Sequence, residues 1–306
     1  MDAGAIDLEA YRALVRRVVA AGTDFLVVLG STGEAATIFD EERDLLIQAA
    51  IQEAHGVPVI VGTGHNATAK AVAMSARAAE LGADGLLVVT PYYNKPQPAG
   101  LEAHFRAVAA AAPQLPIIAY NVPGRTGSNM TPQILARLWT IPQVVAVKES
   151  SGSLAQIGEI TRTLPAGKSL FSGDDALALP AIAVGASGLI SVIGNLLPGP
   201  TKALIDASLS GSMDLARQLH AGLLPMMDAL FLESNPAPLK AALELAGYCS
   251  AAVRLPLSPA TEATRERLAE LLEGLIRDGS ITGQTGQPLT DARTPPGVRI
   301  RQEVAA

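Results

Sequence analysis

Lys148 closes the apolar, β-branched run Val144-Val145-Ala146-Val147 and is the only one of six lysines to do so. A lysine carried into the interior on a strand is desolvated. Desolvation favours the neutral amine, and a neutral amine attacks carbonyl groups. The chemistry this suggests is Schiff-base formation. The competing reading is a lysine just past a strand end, satisfied by a carboxylate.

Other polar groups gather at the ends of similar runs. Gly30-Ser31-Thr32-Gly33-Glu34 can be a turn whose amides cradle an anion, or a tight turn with no ligand. Its two hydroxyls can also relay a proton. Tyr92, Tyr93 and Tyr120 are three of five tyrosines, and all follow strand-like segments. Each can serve in proton transfer or simply pack its ring with the hydroxyl in water. Arg125, between Gly124 and Gly127, can grip a carboxylate through two hydrogen bonds or remain solvated.

No metal is suggested. His55, His65, His104 and His220 never pair at helical spacing, and Cys249 is the only cysteine. Carbonyl activation is therefore assigned to covalent and hydrogen-bonding groups, with no cofactor. Cys249 reads as a small core residue, and a lone cysteine fits a cytoplasmic setting. A net charge of −6 argues against nucleic-acid and anionic-membrane partners. No apolar run has the ~18 residues of a membrane span, and Met1-Asp2-Ala3-Gly4 has no signal-peptide pattern.

These groups must be held by the elements between them. Short β-rich runs at 25–30, 57–63, 85–90, 117–122, 144–149, 170–174 and 188–194 are almost continuously apolar, as expected of parallel strands covered on both faces. Amphipathic helices are predicted between them, among others at 40–55, 68–81, 101–112 and 131–140. Thr68 and Thr131-Pro132 read as helix starts. Polar residues from five or more strands collect at one rim, which favours an α/β barrel, (β/α)8, over an open sheet with a single switch point. The predicted organisation is a barrel over 1–200, a C-terminal helical segment over 201–278 and an irregular extension over 279–306. Seven strands are found where such a barrel needs eight. The first barrel strand is expected to be absent from this chain, leaving an open edge between the first and last strands.

Four segments stand in the order found in dihydrodipicolinate synthases: Gly30-Ser31-Thr32-Gly33-Glu34, Thr90-Pro91-Tyr92-Tyr93-Asn94, Tyr120-Asn121-Val122-Pro123-Gly124-Arg125-Thr126-Gly127 and Val147-Lys148-Glu149-Ser150. Ser172-Gly173-Asp174-Asp175, Gly188-Leu189-Ile190-Ser191-Val192 and Arg254-Leu255-Pro256-Leu257 continue the match. Over about residues 5–278 the chain resembles this family of pyruvate-dependent, Schiff-base-forming lyases.

The resemblance implies condensation of pyruvate with L-aspartate 4-semialdehyde to give 4-hydroxy-tetrahydrodipicolinate, a step of lysine and diaminopimelate biosynthesis. Lys148 would form the imine and Tyr120 would move protons beside it. Ser31 and Tyr93 would complete the relay, the tyrosine reaching in from a neighbouring subunit. Thr32, Ile190 and Gly173 would contact pyruvate, and Arg125 the carboxylate of the aldehyde. A homotetramer, built as a dimer of dimers, is the implied assembly. The alternatives are a lyase for a keto-sugar acid such as N-acetylneuraminate or 2-keto-3-deoxygluconate, and a catalytically impaired barrel with a binding or regulatory role. One departure concerns feedback by lysine. Ala35 and Lys70 stand where the family's inhibitor pocket has a polar and an acidic residue, so weak or absent inhibition is expected.

Overall fold

The computed structural model describes residues 4–277, 282–283 and 298–299. The first half alternates α1 (Leu8–Ala20), β1 (Leu26–Val28), α2 (Asp40–Glu53), β2 (Val59–Gly62), α3 (Thr68–Glu80), β3 (Gly85–Val89), α4 (Pro98–Ala111) and β4 (Ile117–Asn121). A short α5 (Pro123–Thr126) and α6 (Pro132–Leu138) lead to β5 (Val144–Glu149), α7 (Leu154–Arg162), β6 (Ser169–Ser172), α8 (Ala178–Ala183) and β7 (Gly188–Leu189). Helices α9 (Pro198–Leu209), α10 (Met213–Ala229), α11 (Ala237–Leu245) and α12 (Glu262–Arg277) follow. The expected irregular segment at 279–306 lies outside the described residues, apart from β8 (Thr282–Gly283) and β9 (Val298–Arg299), which pair antiparallel.

Local chemistry sets these elements. Asp7 caps α1 by accepting from the Ala10 amide at 2.9 Å, and Glu42 reaches back to the Phe39 amide at 2.9 Å to start α2. Every residue of β2 and β4 is buried, because helices cover one face of the sheet and its own curl covers the other. Thr68 does not cap α3. Ala67 holds the cap position, and the Thr68 hydroxyl instead meets His104 Nδ1 at 3.0 Å.

The seven strands form one parallel sheet in sequence order, each hydrogen-bonded to the next. It curls enough to set Phe25 and Phe171 edge to face across its inner side, with ring centroids 5.5 Å apart. Among the described residues no ladder joins β7 to β1, so the fold is α/β with seven strands of a barrel-like sheet rather than a closed ring of eight. Helix α1 bridges this seam: the Arg17 guanidinium donates to the carbonyls of Asn195 and Leu196, in the turn after β7.

Apolar packing divides by face. Leu86, Val147 and Leu170 face the helices, whereas Ile60, Leu87, Ile118, Tyr120, Ala146 and Ile190 face inward. The C-terminal helices build a further cluster around Leu204, Met226, Leu239 and Leu268.

The last strand is much shorter than the predicted 188–194. The buried Asp175 carboxylate accepts from Ser191 Oγ at 2.5 Å, from the Val192 amide at 3.0 Å and from the Ile193 amide at 2.9 Å. Those bonds take the backbone out of the ladder and into a 3₁₀ turn at Ile193–Asn195.

Candidate active site

A one-residue shift in pairing sets the site. Ile117 pairs with Val144, but Ile118 pairs with Ala146, so Val145 bulges out of the β4–β5 ladder. Beyond the bulge, Tyr120 and Lys148 are register partners, both on the inner face. The Lys148 ammonium lies 4.4 Å from the centroid of the Tyr120 ring. Lys148 is half-buried, and among the described residues it forms no ion pair. The neighbouring Glu149 points outward, 1% exposed. It accepts from Asn121 Nδ2 at 2.8 Å, from the Ser151 amide at 2.7 Å and from Gln156 Nε2 at 3.3 Å. The carboxylate nearest in sequence is thus spent on tying β4 to β5. This disfavours the reading of Lys148 as a structurally satisfied charge.

Gly173 backs the lysine. A Cβ there would lie 2.0 Å from Ser150 Oγ and 2.6 Å from Lys148 Cε, so only glycine leaves room for both side chains. Ile190 is 6% exposed, and its amide donates to the Ser172 carbonyl at 2.8 Å. The Asp175 bonds hold the residues just beyond it. Burial pushes the Asp175 carboxyl up, while Ser191, the two amides and the Lys148 charge oppose that shift.

The turn after β1 brings Ser31 and Thr32 over the same space. Two of its amides are already used, Gly33 to the Gly30 carbonyl and Glu34 to that of Ser31. Glu34 itself accepts from Lys240 Nζ at 2.7 Å and from the Arg254 amide at 3.3 Å. A turn with its amides engaged and a carboxylate at its end is a poor phosphate cradle. It is well placed to fix the Thr32 hydroxyl, which accepts from Asn235 Nδ2 at 2.9 Å.

Ser31, Thr32, Tyr120, Arg125, Lys148, Gly173 and Ile190 all line one cavity of about 1270 Å³. The cavity also extends along the seam between β1 and β7, beneath Tyr11 and Leu14 of α1. Arg125 is exposed at the mouth, donating from Nη2 to the Asn235 carbonyl at 3.2 Å. Tyr93 is not among these residues. It is 89% exposed, directed away from its own cavity, and its backbone sits at φ +73°. The expected chain of three hydroxyls is therefore not assembled within a single protomer.

Sequence reasoning missed Asn235 and Ser150. Asn235 is 4% exposed in the loop before α11, and one residue touches both Thr32 and Arg125. Its only sequence signal is an Asn-Pro pair, which marks a loop and nothing more. Ser150 could have been found by alternation, since it lies two residues beyond Lys148.

Among the described residues, no helix is long and apolar enough to cross a membrane. Residues 1–275 match the family model described as the dihydrodipicolinate synthetase family. The 4-hydroxy-tetrahydrodipicolinate synthase of Geotalea uraniireducens (strain Rf4) is 48% identical over 276 residues, covering 89% of this chain and 95% of that protein. The crystal structure of dihydrodipicolinate synthase from Thermotoga maritima superposes with a TM-score of 0.86 at 40% identity, covering 89% of this chain and 93% of that one. The chloride-inhibited enzyme from Acinetobacter baumannii, complexed with pyruvate, gives a TM-score of 0.87 at 37% identity over 89% and 94% of the two chains.

Proposed function

Since the chain belongs to the dihydrodipicolinate synthetase family and has the 4-hydroxy-tetrahydrodipicolinate synthase activity of its relatives, we propose that Lys148 carries that reaction through a Schiff base with pyruvate. The enzyme is a lyase of lysine and diaminopimelate biosynthesis. The observation that carries the assignment is the pairing of Lys148 with Tyr120 on the inner face, 4.4 Å from ammonium to ring, in a cavity shared with Thr32 and Arg125.

The Lys148 amine adds to the keto carbon of pyruvate and water leaves, forming the imine. Loss of a methyl proton gives an enamine, whose carbon attacks the aldehyde of L-aspartate 4-semialdehyde. The semialdehyde's amino group then replaces Lys148 at the keto carbon, closing the ring and freeing the enzyme. Tyr120 handles the protons at the imine, with Ser31 next in the relay. Thr32, Gly173 and Ile190 hold pyruvate, and Arg125 takes the carboxylate of the aldehyde substrate. No metal or organic cofactor enters these steps.

Tyr93 serves the cavity of a neighbouring subunit in this scheme, so the working unit is at least a dimer, with a dimer of dimers as the full assembly. Its support is physical. A tight turn, in which the Asn94 amide donates to the Tyr92 carbonyl at 2.9 Å and the Tyr93 amide to the Thr126 carbonyl at 3.2 Å, holds this large side chain at positive φ and leaves it 89% exposed, presented outward.

Borohydride reduction in the presence of pyruvate, followed by peptide mass analysis, tests the assignment. The expected product is a reduced pyruvate adduct on Lys148. Absence of the adduct, or its appearance on another lysine, overturns it.

A further inference from the structure

We propose that Ser150 is a further catalytic residue, whose hydroxyl donates a hydrogen bond to the aldehyde oxygen of the second substrate as the carbon–carbon bond forms. This rests on the imine role of Lys148 given above.

Three observations carry it. Ser150 lies two residues beyond Lys148 at the end of β5, with Glu149 directed outward between them, so both side chains face the cavity. Its amide is fixed to the Asn121 carbonyl at 2.8 Å, and its hydroxyl packs against Gly173 beside the Lys148 stem. The Ser150 oxygen is buried and has no hydrogen-bond partner among the described residues.

Four serines nearby in the sequence or on the following strands are engaged. Ser151 Oγ accepts from the Ser153 amide at 3.3 Å, and Ser153 Oγ accepts from the Gln156 amide at 3.2 Å. Ser172 Oγ donates to the Asp174 carbonyl at 2.8 Å, and Ser191 Oγ donates to Asp175. A buried hydroxyl without a partner is disfavoured, and it gains one when a group carrying a lone pair arrives.

The reaction supplies such a group. When the enamine carbon attacks the aldehyde, one carbon–carbon bond forms and the carbonyl π pair moves onto oxygen. That oxygen becomes the product hydroxyl after protonation from the Tyr120 relay; Ser150 keeps its own proton. Tyr120 flanks Lys148 from β4, whereas Ser150 and Gly173 flank it from the β6 side. The two hydroxyls thus have different tasks: Tyr120 moves protons, whereas Ser150 only donates a hydrogen bond to the developing oxyanion.

The test compares wild type with Ser150→Ala by two readouts, borohydride-trapped pyruvate adduct and steady-state kinetics with aspartate semialdehyde. Expected for the variant is adduct formation within about twofold of wild type, with kcat/KM for the aldehyde reduced about tenfold to a hundredfold, the range for a hydrogen bond to a charged group. Unchanged aldehyde kinetics overturns the proposal. So does loss of the adduct in the variant alone, which would make Ser150 a positioning residue for Lys148. Failure of wild type itself to form the adduct would instead overturn the Lys148 assignment.

Discussion

Asn235 donates its side-chain amide to Thr32 Oγ1 at 2.9 Å, a bond between residues 203 positions apart. It ties the turn after β1 to the loop before α11, and through its own carbonyl it also steadies Arg125. The proposed grips on the two substrates, Thr32 for pyruvate and Arg125 for the aldehyde, therefore share one support.

Asn235→Ala separates them, because it removes the amide and leaves the carbonyl. Losing one buried hydrogen bond costs about 1–1.5 kcal/mol, which corresponds to roughly a five- to tenfold rise in pyruvate KM. The aldehyde KM is expected to change less. Steady-state kinetics with each substrate varied in turn checks this, and the reverse pattern would contradict it.

Tyr93→Phe and Lys148→Ala should each have little activity as pure proteins. Subunits refolded together should recover about a quarter of wild-type activity, because half of random dimers are mixed and each mixed dimer keeps one intact site. A mixture no more active than its components would place Tyr93 outside the neighbouring site.

Lys70 on α3 puts an exposed ammonium beside Asp40, 3.7 Å away, at the position where the resemblance implies an acid in a lysine-binding pocket. A second ammonium is repelled there. Saturating L-lysine is expected to lower activity less than about twofold. Submillimolar inhibition in a coupled assay would refute that.

His104 gives the fold a pH dependence. It is 3% exposed, with Nε2 unpartnered, and burial, aided by the charge of His65, pushes its pKa down to about 4. The unfolded chain takes up this proton near pH 6.5, the fold only near 4, so stability is full above 6.5 and declines as pH falls towards 4. Urea midpoints measured between pH 7.5 and 4.5 should fall more steeply for wild type than for His104→Phe.

Much of this was readable because parallel strands buried on both faces leave continuous apolar runs, and polar residues at their ends mark the rim. Lys148, Tyr120 and Thr32 stand out on those grounds, whereas Ile190, one apolar residue in an apolar run, is singled out only by the family resemblance. Asn235 does not, because its contacts come from tertiary packing between segments far apart in sequence. The shortness of β7 was equally hidden, since an apolar run carries no sign of a carboxylate that will capture its amides. Tyr93 shows its identity but not its direction, which depends on a backbone angle that composition does not report.

The seam between β1 and β7 gives the site a mechanical character. Thr32 stands beyond one lip and Ile190 at the other, and side chains span the gap: Arg17 reaches from α1 to two carbonyls after β7, and Lys202 of α9 lies 3.7 Å from Asp24 just before β1. Among the described residues, side-chain contacts rather than a backbone ladder link the two lips. In the proposed scheme, pyruvate bonded to Lys148 on β5 and held by Thr32 and Ile190 acts as one more tie between the two lips, made by the ligand itself.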